Sequence, residues 1–583
     1  MGLKHFWSAV SAALLGILLF QYGSCFQKVG PYPFTYEATV APPVSFYDYI
    51  IIGGGTSGCA LAATLSERAT VLLLERGGLP YGNPTISNVA GFPATLANLA
   101  PSSPSQTFVS TDGVLNARAR VLGGGTCLNA GFYTRASAEY VGRVGWDPEL
   151  VEESYGWVEK KIVFRPPMRQ WQSAVRDGLL EVGVLPDNGY TFEHIYGTKV
   201  GGSIFDENGL RHTAADLLDY ADPKQITVYL KAVVHQIYFD TKAHLMPRAT
   251  GVEFKDSLGI IHRAYLKAGS TNEIILSAGA LGSPQLLMLS GIGPRPHLTA
   301  HEIDVVLDQP MVGQGMSDNA MNAVFIPSPR PVEVSLIQVV GITRFGSYIE
   351  TASGSLRSVL GGRNFEEFVE SLANQVCCSY TNISWLWSPA LVHSFTTSLI
   401  PKEINPLLNP DIHAGIILEK IIGPLSTGHL ELLNRDPNEN PLVTFNYFQN
   451  PIDLERCVQG MRTIIEIIES APLSSFQFPG VPVQTLLDLM LSLPLNARPR
   501  QLDAPFSLEK YCMDTVLTIW HYHGGCQVGR VVDQDYKVLG VDGLRVIDGS
   551  TFYDSPGTNP QATVMMLGRY MGQRILQERF PKG

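Results

Sequence analysis

The stretch that decides the fold is Tyr47–Asp–Tyr–Ile–Ile–Ile52, then Gly53–Gly54–Gly55–Thr56–Ser57–Gly58, then Cys59–Ala–Leu–Ala–Ala–Thr–Leu65. The first run is apolar and β-prone and reads as a strand; the last reads as a helix. Val71 to Leu74 form a second strand, which ends in Glu75, 22 residues after Gly53. A strand, a G-x-G-x-x-G turn, a helix and a strand ending in an acid make the dinucleotide-binding pattern. Gly53 permits the tight turn, Gly55 lets backbone N–H groups approach a pyrophosphate, and Gly58 lets helix and strand pack closely. The helix N-terminus offers its dipole and its free donors to the anion. Glu75 is placed to accept from a ribose hydroxyl.

Three further glycine clusters lie outward from this one. Arg120–Val–Leu–Gly–Gly–Gly–Thr–Cys–Leu–Asn–Ala–Gly131 is a poor core and a good close-approach loop. Ser277–Ala–Gly–Ala–Leu–Gly–Ser–Pro284 follows the strand-like Asn272–Ser277, with a helix expected to open near Pro284 as its first residue. The fourth comprises His521–Tyr–His–Gly–Gly–Cys526, Leu544–Arg–Val–Ile–Asp–Gly–Ser550 and Pro556–Gly–Thr–Asn–Pro–Gln561, with Ala562 to Leu576 as a closing helix. The chain carries 56 glycines in 583 residues, above the average share of about 7%, and these clusters hold much of the excess. Glycines near 53 and near 557 serving one cofactor imply two interleaved domains rather than three in series.

Composition narrows the class. Apolar residues at 45% and charged residues at 16% exclude a disordered chain. Forty-two Lys plus Arg against 53 Asp plus Glu give −11, which argues against a nucleic-acid partner. Residues 1–25 read as a secretory signal: Lys4, the apolar run Phe6 to Phe20, and Gly23–Ser24–Cys25 for cleavage. That run falls short of the roughly 20 residues a membrane span needs, so no stable span is expected after cleavage. Asn382–Ile383–Ser384 is a glycosylation sequon. Eight cysteines make no disulfide scaffold. One bridge is expected among Cys377, Cys378, Cys457 and Cys512, its pairing open, and no Cys/His spacing suggests a metal.

In order and spacing, the four clusters resemble the glucose–methanol–choline oxidoreductases, flavoproteins that carry FAD, over about residues 46 to 580. Within that family the chain is similar to the plant branch of hydroxynitrile (mandelonitrile) lyases and HOTHEAD-type proteins. Val332–Thr343 and Ser555–Pro–Gly–Thr–Asn–Pro–Gln561 look more like the latter. The resemblance implies an α/β fold, with a Rossmann-like FAD-binding domain interleaved with an α+β substrate domain built on an antiparallel sheet. The FAD-binding segments would be 46–150, 201–310 and 511–583. Residues 151–200 would connect and join the substrate domain, mainly 311–510, where His413–Leu418 and His429–Leu433 are strand-like. By position, Gly53, Gly55 and Gly58 would hold the FAD pyrophosphate, and Glu75 with Arg76 the adenosine ribose region. Val121, Gly125, Asn129, Ala130, Gly131 and Phe132 would lie along the isoalloxazine and its phosphates. Val234, in a strand from Tyr229 to Phe239, would meet the adenine. Asp548, Gly549, Pro560 and Gln561 would close over the flavin.

Alcohol oxidation by a flavin needs the hydroxyl proton to leave as hydride passes from carbon to flavin, and a histidine suits that proton transfer. His521 and His523 compete for the role. The family pattern of His, two residues, Gly, four residues, Gly fits His521, Gly524 and Gly529, so His521 is the expected base and His523 a backbone support. Thirty-eight residues later stands Asn559, where the family has His or Asn. Hydroxynitrile lyases carry a second His there. Asparagine takes up no proton at neutral pH and can only orient a hydroxyl, which favours oxidation. Trp520 is a candidate pocket wall, and Tyr511 and Tyr522 are candidate relays. The expectation is a secreted, extracellular FAD-dependent alcohol dehydrogenase or oxidase. Its small-molecule substrate, by the HOTHEAD resemblance, would be a long-chain ω-hydroxy fatty acid. The alternative is an (R)-hydroxynitrile lyase that splits a cyanohydrin into HCN and an aldehyde.

Overall fold

The computed structural model describes residues 29–98, 100–242, 245–355, 413–500 and 504–581. The expected leader (1–25), Cys377, Cys378 and the sequon at Asn382 lie outside the described residues.

Tyr49–Ile52 and Val71–Glu75 are buried at every position, as strands covered on both faces must be. They form the centre of a six-stranded parallel sheet ordered 35–37, 226–230, 71–75, 49–52, 273–276, 544–546. Its strands come from both ends and the middle of the chain. The helix Thr56–Leu65 leaves the turn after Tyr49–Ile52 and packs against the last helix, Gln561–Arg579. Gly53 has φ +105°, and a Cβ there would stand 2.4 Å from the carbonyl oxygen of Ser277. A Cβ at Gly58 would stand 2.0 Å from the Gly53 carbonyl oxygen. Both positions therefore admit only glycine.

A second sheet has seven strands, ordered 517–518, 320–328, 413–421, 347–355, 339–342, 197–200, 187–190. It is antiparallel except for its outermost pair. This is the antiparallel platform that the interleaved fold calls for. It is wider than the segment 311–510, since its two ends are built from 187–200 and 517–518.

Four local expectations are corrected. Tyr47–Ile52 is not one strand: Val44–Tyr47 joins a separate four-stranded sheet and Tyr49–Ile52 the parallel one. The chain changes sheets at Asp48, whose carboxylate accepts from Thr70 N (2.9 Å), Lys267 Nζ (3.2 Å) and Arg579 (3.0 Å). Tyr229–Phe239 likewise divides into Ile226–Leu230 and Val233–Asp240, with the left-handed Lys231 (φ 54°) between them. The helix near Pro284 starts at Gly279 and runs to Leu289, so Pro284 lies inside it. Its early start is held by Asp548, which accepts from Gly279 N at 2.9 Å and Ser283 Oγ at 2.5 Å. The closing helix is longer than expected at both ends, Gln561–Arg579.

The disulfide joins Cys457 to Cys512 and so ties the helix Pro451–Glu469 to Leu508–Asp514. Among the described residues no helix is long and apolar enough to cross a membrane, and no His/Cys/Asp/Glu group could hold a metal.

Candidate active site

Against the seven-stranded sheet, lined from it by Met321, Ala352, Ile416 and Leu418, lies a cavity of about 520 Å³. His521, Trp520, Tyr522 and His523 line it from the loop after Leu517–Thr518. Asn559, Pro560 and Gln561 line it from the chain entering the last helix, and Gly549 from the preceding turn. Gly125, Asn129, Ala130, Gly131 and Phe132 line it from the second glycine cluster.

These distant segments are stitched together. Asn129 Nδ2 donates to Gln561 Oε1 at 2.8 Å, while Gly131 N (3.0 Å) and Arg211 (3.0 Å) donate to Asn129 Oδ1. Gln561 Nε2 donates to the Phe132 carbonyl at 2.5 Å. Asn129 and Gln561 thus fix one another's amides across most of the chain.

The loop that presents His521 is strained and over-determined. Trp520 has φ +60°, sparsely populated for a bulky residue. Trp520 N donates to Thr518 Oγ1 at 2.7 Å, and His521 N donates to Asp318 Oδ1 at 3.0 Å. Asp318 is 2% exposed, and its other oxygen accepts from Tyr447 Oη (2.5 Å) and Thr518 Oγ1 (2.6 Å). Burial still pushes its carboxyl up to about 6, against the pull of these donors.

His521 Nδ1 lies 3.4 Å from the Tyr348 hydroxyl, which donates to the Thr558 carbonyl at 2.8 Å. The His521 ring also meets the Thr558 carbonyl, an acceptor that favours its protonated form. Burial first, then the positive charge of Lys420 and the neighbouring His523, hold the His521 ring well below the ordinary histidine value. It is neutral at pH 7. His523 is 2% exposed; its Nδ1 donates to the His521 carbonyl at 3.0 Å, and its backbone pairs with Ser317. It braces the loop, yet its Nε2 is buried without a partner, as is Asn559 Oδ1. Lys420 lines the cavity and stands in a fully buried ion pair with Glu350.

Several residues that the sequence motifs single out stand outside the cavity lining: Gly53, Gly55, Gly58, Glu75, Arg76, Val121, Val234 and Asp548. Glu75 accepts from Gly54 N (2.9 Å) and Gly77 N (2.7 Å), bracing the glycine turn. Arg76 bonds Gln106 and the Ala119 carbonyl. Asp548 is spent on Gly279, Ser283 and Ser550, so any part it takes in the site passes through its backbone. Of the candidate relays, Tyr511 donates to Ala323 O (2.6 Å) away from the cavity, and Tyr522 lines the cavity but donates to Ala117 O (2.9 Å). Asp318, Tyr348, Lys420 and Glu350 carry no signal in the sequence. Tyr348, Glu350 and Lys420 are brought in by the pairing of Ser347–Ser355 with His413–Ile421, and Asp318 stands on the short link between Gln314–Met316 and Ala320–Ser328.

The donor set suits a dinucleotide. The helix Thr56–Leu65 begins at Gly55 with no side-chain cap and no acid in its first turn. Its first N–H groups are therefore left for an anion. Ser57 Oγ beside them is buried without a partner. Gly55, Thr56 and Ser57 would hold the pyrophosphate, with residues 125–132 and 549–561 around the flavin.

Two family models, each described as GMC oxidoreductase, match the chain, over residues 47–321 and 424–568. Protein HOTHEAD of Arabidopsis thaliana is 52% identical over 539 residues, covering 92% of this chain and 89% of that protein. (R)-mandelonitrile lyase 1 of Prunus serotina is 40% identical over 550 residues, covering 94% and 90%. Sinalpyl alcohol oxidase Nec3 of Nesocodon mauritianus is 41% identical over 558 residues, covering 93% and 91%. The solved structure of pyridoxine 4-oxidase from Mesorbium loti overlays with a TM-score of 0.68 at 20% identity, covering 90% of this chain and 98% of that one. With its two sheets, its glycine cradle and these matches together, the chain belongs to the GMC oxidoreductase family, and its cofactor is FAD.

Proposed function

We propose that this oxidoreductase is secreted and oxidises an apolar alcohol, with His521 as the base. The observation that carries the reading is the polar end of the cavity. His523 Nε2 and Asn559 Oδ1 are acceptors buried without a donor, and His521 presents a neutral ring beside them. Unfilled acceptors beside a base call for a ligand O–H. Asn559 orients that hydroxyl and cannot take its proton; His521 takes it. Bound FAD supplies the two-electron acceptor for the hydride.

The rest of the cavity surface is mostly apolar. Phe92, Leu96, Leu115, Leu336, Ile416 and Leu418 form much of its wall. The only charged side chain lining it among the described residues, Lys420, is tied up in a buried ion pair with Glu350. Such a wall fits an uncharged body bearing one hydroxyl and disfavours sugars and cations. A long-chain ω-hydroxy fatty acid fits if it enters hydroxyl first and leaves its carboxylate in water. The leader-like residues 1–25 and the Cys457–Cys512 bridge support secretion.

Anaerobic mixing of the purified yellow protein with primary alcohols, and separately with mandelonitrile, tests the reading. Bleaching of the flavin by an alcohol is expected. Cyanide release with the flavin still oxidised would overturn it in favour of the lyase.

A further inference from the structure

Tyr348 lies fully buried on the strand Ser347–Ser355, and its hydroxyl meets both halves of the candidate machinery. It stands 2.8 Å from the carbonyl oxygen of Thr558, the residue before Asn559, and 3.4 Å from Nδ1 of His521. A phenol has one proton and a carbonyl oxygen has none, so the short contact fixes the direction: Tyr348 donates to Thr558. Toward His521 the phenol oxygen can then only accept, so an Nδ1–H completes that contact, and the Thr558 carbonyl, which the ring also meets, is a second acceptor facing it. We propose that Tyr348 is a positioning residue that sets the tautomer of His521, keeping hydrogen on Nδ1 and the Nε2 lone pair free for the substrate hydroxyl. This rests on the reading of His521 as the base.

The chemistry needs that choice made in advance. A ring protonated on Nε2 has no lone pair on that nitrogen and takes up no proton there. With hydrogen on Nδ1, the substrate O–H proton passes to Nε2 and the ring becomes an imidazolium. Its Nδ1–H then bonds the phenol oxygen more strongly, because charge-assisted bonds are shorter and stronger. The same hydroxyl ties the ring to the peptide that carries Asn559, so base and orienting amide keep one geometry. The surroundings keep the phenol a phenol: burial, then Glu350, Asp318 and Glu419, raise Tyr348 well above the ordinary tyrosine value. The Lys420 ammonium lies 5.5 Å over its ring, itself paired with Glu350.

Nitrogen-15 NMR of histidine-labelled holoenzyme tests the tautomer directly, the His521 signals being those lost in His521→Ala. The wild type should show a protonated Nδ1 and a bare Nε2. Tyr348→Phe should show a mixed or reversed ring, and flavin reduction by alcohol should slow about 10- to 100-fold with KM within about threefold. A protonated Nε2 in the wild type, or an unchanged Nδ1–H ring in Tyr348→Phe, overturns the proposal. The wild-type spectrum alone can overturn it, so misfolding of the variant does not shelter it. If the ring behaves as stated and no alcohol bleaches the flavin, the tautomer assignment stands and the alcohol reading falls.

Discussion

A histidine works as a base only while it is neutral, and His521 is held neutral by burial, by Lys420 and by His523. With His521 as the proposed base the neutral ring is the active form, so activity should be full above the folded pKa and fall as pH drops through it. The acid limb of kcat/KM for alcohol oxidation is therefore expected below the ordinary histidine value of 6.5. A pH profile of flavin reduction checks this, and a limb at or above 6.5 would point to another base. His521→Ala should slow flavin reduction about 10²- to 10⁴-fold with flavin content unchanged. His523 holds the loop through its Nδ1 and backbone, so His523→Ala should be the milder change in the same assay; the reverse order would exchange their roles. Asp318 acts one step further back. Its removal in Asp318→Ala leaves Tyr447, Thr518 and the His521 N–H without their acceptor in a buried site. At about 1–3 kcal/mol per orphaned donor, a drop of several kcal/mol in denaturant unfolding is expected. Asp318→Asn, which keeps one acceptor oxygen, should recover part of it.

At the scale of elements, the glycine turn is the least forgiving. Gly53→Ala would place a side chain at φ +105° and 2.4 Å from a backbone oxygen of Ser277. Neither the turn nor the strand Glu273–Leu276 behind it can yield without opening the parallel sheet. The variant should be made without bound flavin, a loss read from the visible spectrum of the purified protein; a fully yellow Gly53→Ala would refute the close-packing argument. This unit is readable in the sequence because strand, turn, helix and acid are contiguous and each residue's task is local. The breaks at Asp48 and Lys231 are not readable, because one apolar run can serve two sheets and the choice is made elsewhere. Thr70, Lys267 and Arg579, remote in sequence, pin Asp48. Tyr348, Glu350 and Lys420 are hidden for a related reason. A strand covered on both faces reads as continuous core, and alternation gives no sign that one face meets a cavity. The helix start at Gly279 is easily misread because Pro284 is a local signal, while the group that fixes the true start, Asp548, is 269 residues away.

The whole molecule is held by parts that need each other across the chain. The bridge Cys457–Cys512 closes a loop of 55 residues just before the strand and loop that present His521. Opening it by paired Cys→Ser changes should cost about 2–4 kcal/mol, seen in denaturant unfolding of the holoenzyme. The parallel sheet makes a stronger demand. Its edge strand Leu544–Val546 pairs with Glu273–Leu276, and Arg545 there is locked to Glu273 by two hydrogen bonds at 2.7 and 3.1 Å. The last helix covers Thr56–Leu65, whose residues from Ser57 to Leu65 are buried and include Leu61 and Leu65. A fragment ending at residue 310 holds the whole glycine turn yet lacks that strand and that helix. It would expose the apolar face of its first helix and leave Glu273 buried without its arginine, an uncompensated charge. The fragment made alone should therefore fail to bind FAD and should aggregate. Co-production with residues 311–583 should restore a soluble yellow complex. Cooperative unfolding and stoichiometric flavin in the isolated fragment would show that the dinucleotide domain is complete before residue 310, and the interleaved account of how this chain builds its active site would have to be given up.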